Sequence, residues 1–173
     1  MKIVGIVGSL RKDSYNKVLI NKFAELLPAD IDFKITSIGK LPLFNEDIEF
    51  NKIDAVESFR KDLNEADIII ISSPEYNYSI PGVLKNALDW ASRGEELPFL
   101  NKKVAIMSSS NGRFGGIRMQ AHLRQVLLSL NANVLNRPEV IINNIDDKVD
   151  NLNHITDERT IRSLQRLIDT IIK

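Results

Sequence analysis

The sequence predicts an α/β fold in which a doubly wound parallel sheet of five strands carries helices on both faces. Three observations predict it. Short β-branched runs alternate with longer stretches of helical periodicity along the chain. One run, Ile68-Ile69-Ile70-Ile71, is apolar on both faces, as a strand covered by helices on each side must be. The connections that follow strands are rich in glycine, serine and asparagine, and no repeat, low-complexity tract or linker interrupts the pattern. At 173 residues the chain is expected to form one domain spanning 1–173. A chain of this size hides roughly 70% of its unfolded surface on folding, enough for an ordinary core.

Taken in order, the first strand is expected at Lys2–Val7, followed by a helix whose stripe is Val18, Leu19, Phe23, Leu26 and Leu27. The second strand is expected at Asp32–Ser37. Gly39–Asn51 is the least regular stretch and reads as a surface connection. Ile53, Val56, Phe59, Leu63 and Ala66 form the second helical stripe, and Ile68–Ser73 the central strand. The next helix buries Val83, Leu84, Ala87, Leu88 and Ala91, with Pro81 in its first turn and Ser79 as its cap. Lys103–Ser108 is the fourth strand, and a broader stripe of Ile117, Ala121, Leu127, Leu128 and Leu130 follows. Glu139–Ile142 is the fifth strand, and Ile161, Leu164, Leu167, Ile168, Ile171 and Ile172 belong to the last helix. Right-handed crossovers leave few topologies for such a string. Ligands in these sheets lie outside the carboxyl ends of the strands, at the switch point in strand order.

Composition removes several classes of function. Lys plus Arg is 23 and Asp plus Glu is 23, so the formal charge is zero and no basic footprint for nucleic acid or a membrane surface exists. The absence of cysteine excludes disulfides, thiolate nucleophiles and thiolate metal sites. The N-terminal run has a strand pattern rather than that of a signal peptide, and no apolar stretch approaches the length of a membrane span. A soluble cytoplasmic protein is expected.

The loops after the first, third and fourth strands converge on one sheet edge. Gly8-Ser9-Leu10-Arg11-Lys12-Asp13-Ser14-Tyr15-Asn16 leads from strand to helix. Backbone N–H groups without an intrahelical partner and the positive end of the helix dipole make such a junction an anion pocket. Ser9, Ser14 and Asn16 add neutral donors and Arg11 a planar cationic fork, so the fitting occupant is a phosphate. Pro74-Glu75-Tyr76-Asn77-Tyr78-Ser79-Ile80-Pro81-Gly82 offers two aromatic rings, an amide and backbone donors, which suit a flat heteroaromatic ring. Ser108-Ser109-Ser110-Asn111-Gly112-Arg113-Phe114-Gly115-Gly116 lets backbone approach a ligand closely. Each loop alone is an ordinary turn; together they describe a mononucleotide pocket.

These segments, with Leu84-Lys85-Asn86-Ala87-Leu88-Asp89-Trp90 and Leu123-Arg124-Gln125-Val126-Leu127, resemble the NADPH-dependent FMN reductase family over about Met1–Ile142. That is the flavodoxin-like group of bacterial quinone, chromate and azo-dye reductases. The resemblance implies a sheet in order 2-1-3-4-5 and FMN as cofactor. It places the FMN phosphate on Ser9, Arg11, Ser14 and Asn16, with Tyr15 and Leu10 contributing backbone or packing. It places the isoalloxazine on Pro74, Glu75, Tyr76, Asn77 and Ser79, and the third loop beside ring and ribityl chain at Ser109, Ser110, Gly112 and Gly115. It also implies a homodimer or homotetramer with the flavin near a subunit interface.

The chemistry so implied is hydride transfer from NADPH or NADH to FMN, then ping-pong delivery to a small-molecule quinone, azo, nitro or metal-oxyanion acceptor. The protein's part is to hold the ring and stabilise charge with fixed donors, so no catalytic side chain is expected. Arg93, Arg113 and Arg118 could each reach a nicotinamide 2′-phosphate. The alternative is a non-enzymatic flavin-binding electron carrier or redox-responsive partner-binding module; acidic carriers of this fold dock on basic partners, and zero net charge speaks against that role. His122 and His154 lack metal-ligand spacing, so no metal site is expected. No Gly-x-Ser-x-Gly elbow, P-loop ending or Gly-x-Gly-x-x-Gly fingerprint is present. Trp90 reads as packing beneath its helix, and the pairs Glu46-Asp47 and Asp146-Asp147 as solvated charges.

Overall fold

A computed structural model describes residues Met1–Lys173. The strands β1 (Lys2–Val7), β2 (Asp32–Thr36), β3 (Ile68–Ser72), β4 (Lys103–Ser109), β5 (Asn133–Val134) and β6 (Val140–Ile142) alternate with α1 (Tyr15–Glu25), α2 (Asp54–Asn64), α3 (Gly82–Ala91), α4 (Ile117–Ser129) and α5 (Glu158–Ile171). All strand pairs are parallel, in the order β2-β1-β3-β4-β5.

The fifth sheet position is filled in two pieces. β5 pairs with the start of β4 through Lys103↔Asn133, and β6 pairs with its end through Met107↔Val140. Between them lies Pro138, which has no N–H to give a ladder. The expected strand at Glu139–Ile142 is therefore only the second half of that position. The first half is two residues long, too short for any period to announce it.

β3 sits at the centre with all five residues buried. Its alternate side chains feed two separate cores. Ile69 and Ile71 pack with Val4, Ile6, Phe59, Leu63, Leu84 and Leu123 under α2, α3 and α4. Ile68 and Ile70 pack with Ile3, Leu19, Phe23, Leu164 and Ile168 under α1 and α5. Trp90 is fully buried beneath α3, its Nε1 donating to the Pro42 carbonyl at 2.8 Å.

Two expectations are corrected. α4 buries Met119, Gln120, Leu123 and Leu127, while Ile117 and Leu128 face outward. Apolar residues on this helix satisfy the helical period on more than one face, so the period alone points to the wrong stripe. Ser79 does not cap α3: the capping position is Pro81, whose carbonyl accepts from Leu84 and Lys85 N–H at 3.0 Å, with no side-chain cap. Gly39–Asn51 lies on the surface but is fastened there. Phe44 N–H donates to Asn86 Oδ1 at 2.7 Å, and the Phe44 ring meets Trp90 edge-on at 5.2 Å.

Candidate active site

The carboxyl ends of β1, β3 and β4 deliver their three loops to one edge, as the strand order requires. Gly8 permits the closeness: a Cβ there would stand 2.3 Å from Ser73 Oγ. The loops enclose a cavity of about 170 Å³ walled by Ser9, Arg11, Ser14, Tyr15, Asn16, Pro74, Glu75, Tyr76, Ser109, Ser110 and Asn111. Of the residues expected at a site, Leu10, Asn77, Ser79, Gly112 and Gly115 stand outside this wall.

The first loop is a row of unused donors. The N–H groups of Ser9, Leu10, Lys12, Asp13 and Ser14 have no protein acceptor, and those of Tyr15 and Asn16 precede the first intrahelical bond. Ser14 occupies the capping position of α1, is buried, and spends no side-chain hydrogen bond on the cap. Ser9 Oγ accepts weakly from Arg11 N–H at 3.3 Å. Arg11 is exposed, donates to the Asp13 carbonyl at 2.6 Å and lies 5.8 Å over the Tyr15 ring.

Asn16 does something else with its side chain. Its Nδ2 donates to Ser109 O at 3.0 Å, and its Oδ1 accepts from Ser109 N–H at 3.0 Å and Ser72 Oγ at 3.3 Å. The amide thus rivets the start of α1 to the ends of β3 and β4, and its backbone N–H alone remains for a ligand.

Glu75 is similarly engaged. Its Oε2 accepts from the N–H groups of Arg118 (3.0 Å) and Met119 (3.1 Å), and its Oε1 faces Arg118 Nη1 at 3.1 Å. A carboxylate at a helix N-terminus meets the positive end of the dipole. α4 needs this help, because its own capping residue, Gly116 at φ 91°, has no side chain to offer.

The second loop turns sharply at Tyr76–Ser79, whose N–H and C=O groups exchange bonds at 3.0 Å. Asn77 (φ 49°) and Tyr78 (φ 65°) both adopt positive φ, as a type I′ turn requires. Asparagine accepts that conformation; tyrosine rarely does. Tyr78 is held there by Arg118, whose guanidinium lies 4.2 Å over its ring and 4.4 Å over Phe114. Ser79 Oγ meets His122 Nδ1 at 2.7 Å, tying the same turn to α4. These braces were missed by the sequence reading. The i,i+4 spacing of Arg118 and His122 would have put both on one helix face.

In the third loop Ser109 lines the cavity, and its fully buried Oγ has no hydrogen-bond partner. Gly115, at φ 60°, is locked by packing: a Cβ would meet Ile141 Cγ2 at 2.7 Å, and its carbonyl takes Ser108 Oγ at 2.6 Å. Asn111 joins the wall without having been singled out; nothing in the sequence distinguishes it from its neighbours.

These residues fit a phosphorylated ligand. Seven free N–H groups surround a helix N-terminus beside one arginine fork, and a buried hydroxyl lacks a partner. The enclosed space equals about six waters' share of liquid volume. That is room enough for a phosphoester and part of an attached chain, with Pro74 and Tyr76 in the wall. Of the candidate arginines, Arg93 is engaged by Glu46 and Glu49 at 3.3 and 3.7 Å and Arg118 by Glu75, whereas Arg113 has no acidic partner.

The family model for NADPH-dependent FMN reductase matches residues 1–147. An NAD(P)H-dependent FMN reductase of Pseudomonas aeruginosa is 41% identical over 172 residues, covering 99% of this chain and 93% of the relative. A 2-hydroxy-1,4-benzoquinone reductase of a Burkholderia species is 40% identical over 171 residues, 98% of this chain and 93% of the relative. The solved structure of FerB, a flavoenzyme NAD(P)H:(acceptor) oxidoreductase of Paracoccus denitrificans, superposes with a TM-score of 0.90 at 32% identity, covering 98% of this chain and 93% of that one.

Proposed function

Since this chain belongs to the NADPH-dependent FMN reductase family, we propose that it oxidises NAD(P)H and reduces quinones, with azo, nitro and metal-oxyanion compounds as further acceptors, in a ping-pong cycle. It is an oxidoreductase of the FMN and quinone reductase kind. FMN supplies the hydride chemistry when bound. The chain's own residues bind and orient it.

The observation that carries this reading is the polar cavity at the ends of β1, β3 and β4, with its free N–H groups and unpartnered Ser109 Oγ. Ser9, Arg11, Ser14 and the N–H groups of Tyr15 and Asn16 would take the phosphate, with Leu10 covering it. Ser109 Oγ would meet a hydroxyl of the ribityl chain, with Ser110, Gly112 and Gly115 shaping that side. Pro74, Tyr76 and the backbone of Glu75 would support the ring, and the turn at Asn77 and Ser79 would set its outer edge. Fixed backbone donors stabilise developing charge without titrating, so no side-chain acid or base is required. One face of the ring would stay open, so that nicotinamide leaves before the acceptor enters. Arg113 is the cation free to meet a 2′-phosphate. Tyr76 and Tyr78 of the second loop, Phe114 of the third and Ile117 at the start of α4 are exposed large apolar side chains. They support closure by a second subunit in a homodimer or homotetramer. No helix is long and apolar enough to cross a membrane, and action in the cytoplasm, with the whole chain as one domain, completes the proposal.

The test is NADPH oxidation, followed at its near-ultraviolet absorbance, with FMN-loaded protein and 1,4-benzoquinone. Turnover far above that of free FMN, with parallel double-reciprocal lines, is expected. Rates equal to free FMN overturn the activity, and intersecting lines overturn the ping-pong order.

A further inference from the structure

A second cavity adjoins the first. It measures about 320 Å³ and shares Ser14 with the loop cavity. Its floor is one face of α1, where Ser14, Lys17, Val18, Asn21, Lys22 and Glu25 recur at three- and four-residue steps. At 1.5 Å per residue the groove follows α1 for about 16 Å away from the loop cavity. The opposite wall is Leu152–Ile155.

That wall is braced. Asp150 Oδ1 accepts from the N–H groups of Leu152 (2.9 Å) and His154 (2.8 Å), and Asp150 N–H donates to the His154 carbonyl at 2.9 Å. Val149 and Ile155 pair across the turn. Leu152 is 75% exposed at the lip. Lys22 is neutralised by Glu25 at 3.1 Å; at the end nearest the loop cavity Lys12 and Lys17 share the lining with Asp13 but form no ion pair with it, leaving an excess of one positive charge there.

Resting on the reading of the loop cavity as the FMN phosphate site, we propose that this groove receives the adenosine monophosphate half of FAD, so that the chain binds the dinucleotide flavin as well as FMN. FAD continues from the phosphate of FMN through a second phosphate to ribose and adenine. A phosphate held beside Ser14 has the groove as its continuation. Lys12 and Lys17 meet the second phosphate, and Val18 and Leu152 offer apolar surface to adenine. Asn21 supplies an amide for its polar edge. The cavity volume falls at the lower end of the ~300–1,000 Å³ range of small-molecule sites.

The experiment is calorimetric titration of flavin-free protein with FMN, FAD and ADP, on the wild type, the Lys12→Gln/Lys17→Gln double variant and Leu152→Asp. Wild-type affinities for FAD and FMN are expected within about tenfold of each other. Losing the charge-assisted bonds should weaken FAD about tenfold and FMN less than twofold. Leu152→Asp, at an exposed lip remote from the loop cavity, should show the same split. If FMN binds while FAD binds more than a hundredfold more weakly, or if both flavins respond alike to the variants, the inference falls and the loop-cavity reading stands. Failure of both flavins to bind overturns both. Binding of ADP to the FMN complex without binding of FAD would make the groove a separate nucleotide site and overturn the dinucleotide.

Discussion

Replacing Asn16 by alanine separates a structural role from a ligand role at the one position where the sequence and the geometry disagree most. The side chain is 2% exposed and spends its amide on Ser109 N–H and C=O at 3.0 Å each, and on Ser72 Oγ at 3.3 Å. Ser72 Oγ keeps another acceptor, the Asn16 carbonyl at 2.9 Å, so its loss is small. The two backbone groups of Ser109 would be stranded. A buried group left without a partner costs about 1–3 kcal/mol, and water from the adjoining cavity can reach part of this site. Two groups near the low end of that range predict a loss of about 2–3 kcal/mol. For a chain of this size that lowers Tm by about 4–12 °C. Asn16→Asp keeps the acceptor but removes the donor and sets a carboxylate against the Ser109 carbonyl, so it should also destabilise. Thermal and urea unfolding of the flavin-free protein, read by circular dichroism, measure both. FMN and riboflavin should weaken together, because the start of α1 and the end of β4 move apart beneath either ligand. A Tm change under about 1 °C with a loss confined to FMN would refute the reasoning and make Asn16 a phosphate donor.

Two further outcomes are expected. Arg11→Ala should weaken FMN about tenfold, the low end of a charge-assisted hydrogen bond of about 1.5–3 kcal/mol, because the guanidinium is exposed; riboflavin, which lacks the phosphate, should change less than about twofold, and equal losses in calorimetry would deny Arg11 its partner. Asp157 caps α5. Partial burial pushes its carboxyl upward, but donation from Thr160 Oγ1 and N–H, with Lys148 and Arg159 nearby, outweighs this and leaves it below the usual range. A depressed carboxyl contributes stability above its unfolded pKa and loses it as pH falls through the folded value. The Tm deficit of Asp157→Ala should therefore be full above about pH 5 and narrow below about pH 4, the range of an unperturbed carboxyl; a deficit constant from pH 7 to pH 3 would refute the linkage.

The layers of the fold were legible because their signal is local and repetitive. Ile68–Ile71 announces a strand with two covered faces, and the structure divides those residues between two cores. The stripes of α2 and α5 have the helical period and little surplus apolar content, so their buried faces match expectation. α4 failed on that count: Ile117 and Leu128 satisfy the period as well as Met119 and Leu123 do, and only the position of the sheet decides between them. At the site, the three loops were readable because each follows a strand that ends at the same edge. The allocation of polar atoms within them was not. The partners of the Asn16 side chain are 56 and 93 residues away and those of Glu75 are 43 and 44 away. No spacing rule connects positions so far apart before the strand order is known.

That allocation also shows how a chain of zero net charge would hold the dianion proposed for this cavity. Two of the polar side chains around the cavity, Asn16 and Glu75, are consumed in joining β3, β4, α1 and α4. What remains in the wall besides the Tyr15 and Tyr76 side chains is backbone N–H, serine hydroxyl, the Asn111 amide and one arginine. Backbone N–H groups carry no net charge, yet converging on a helix N-terminus they create a local positive potential. Anion recognition of this kind leaves the global charge balance untouched, which is why composition was silent about a phosphate while the order strand, glycine-serine loop, helix was not. The same division fixes the mechanical requirement: the donors are correctly placed only if the loop ends are held rigidly, and the buried amide of Asn16 and the carboxylate of Glu75 are what hold them.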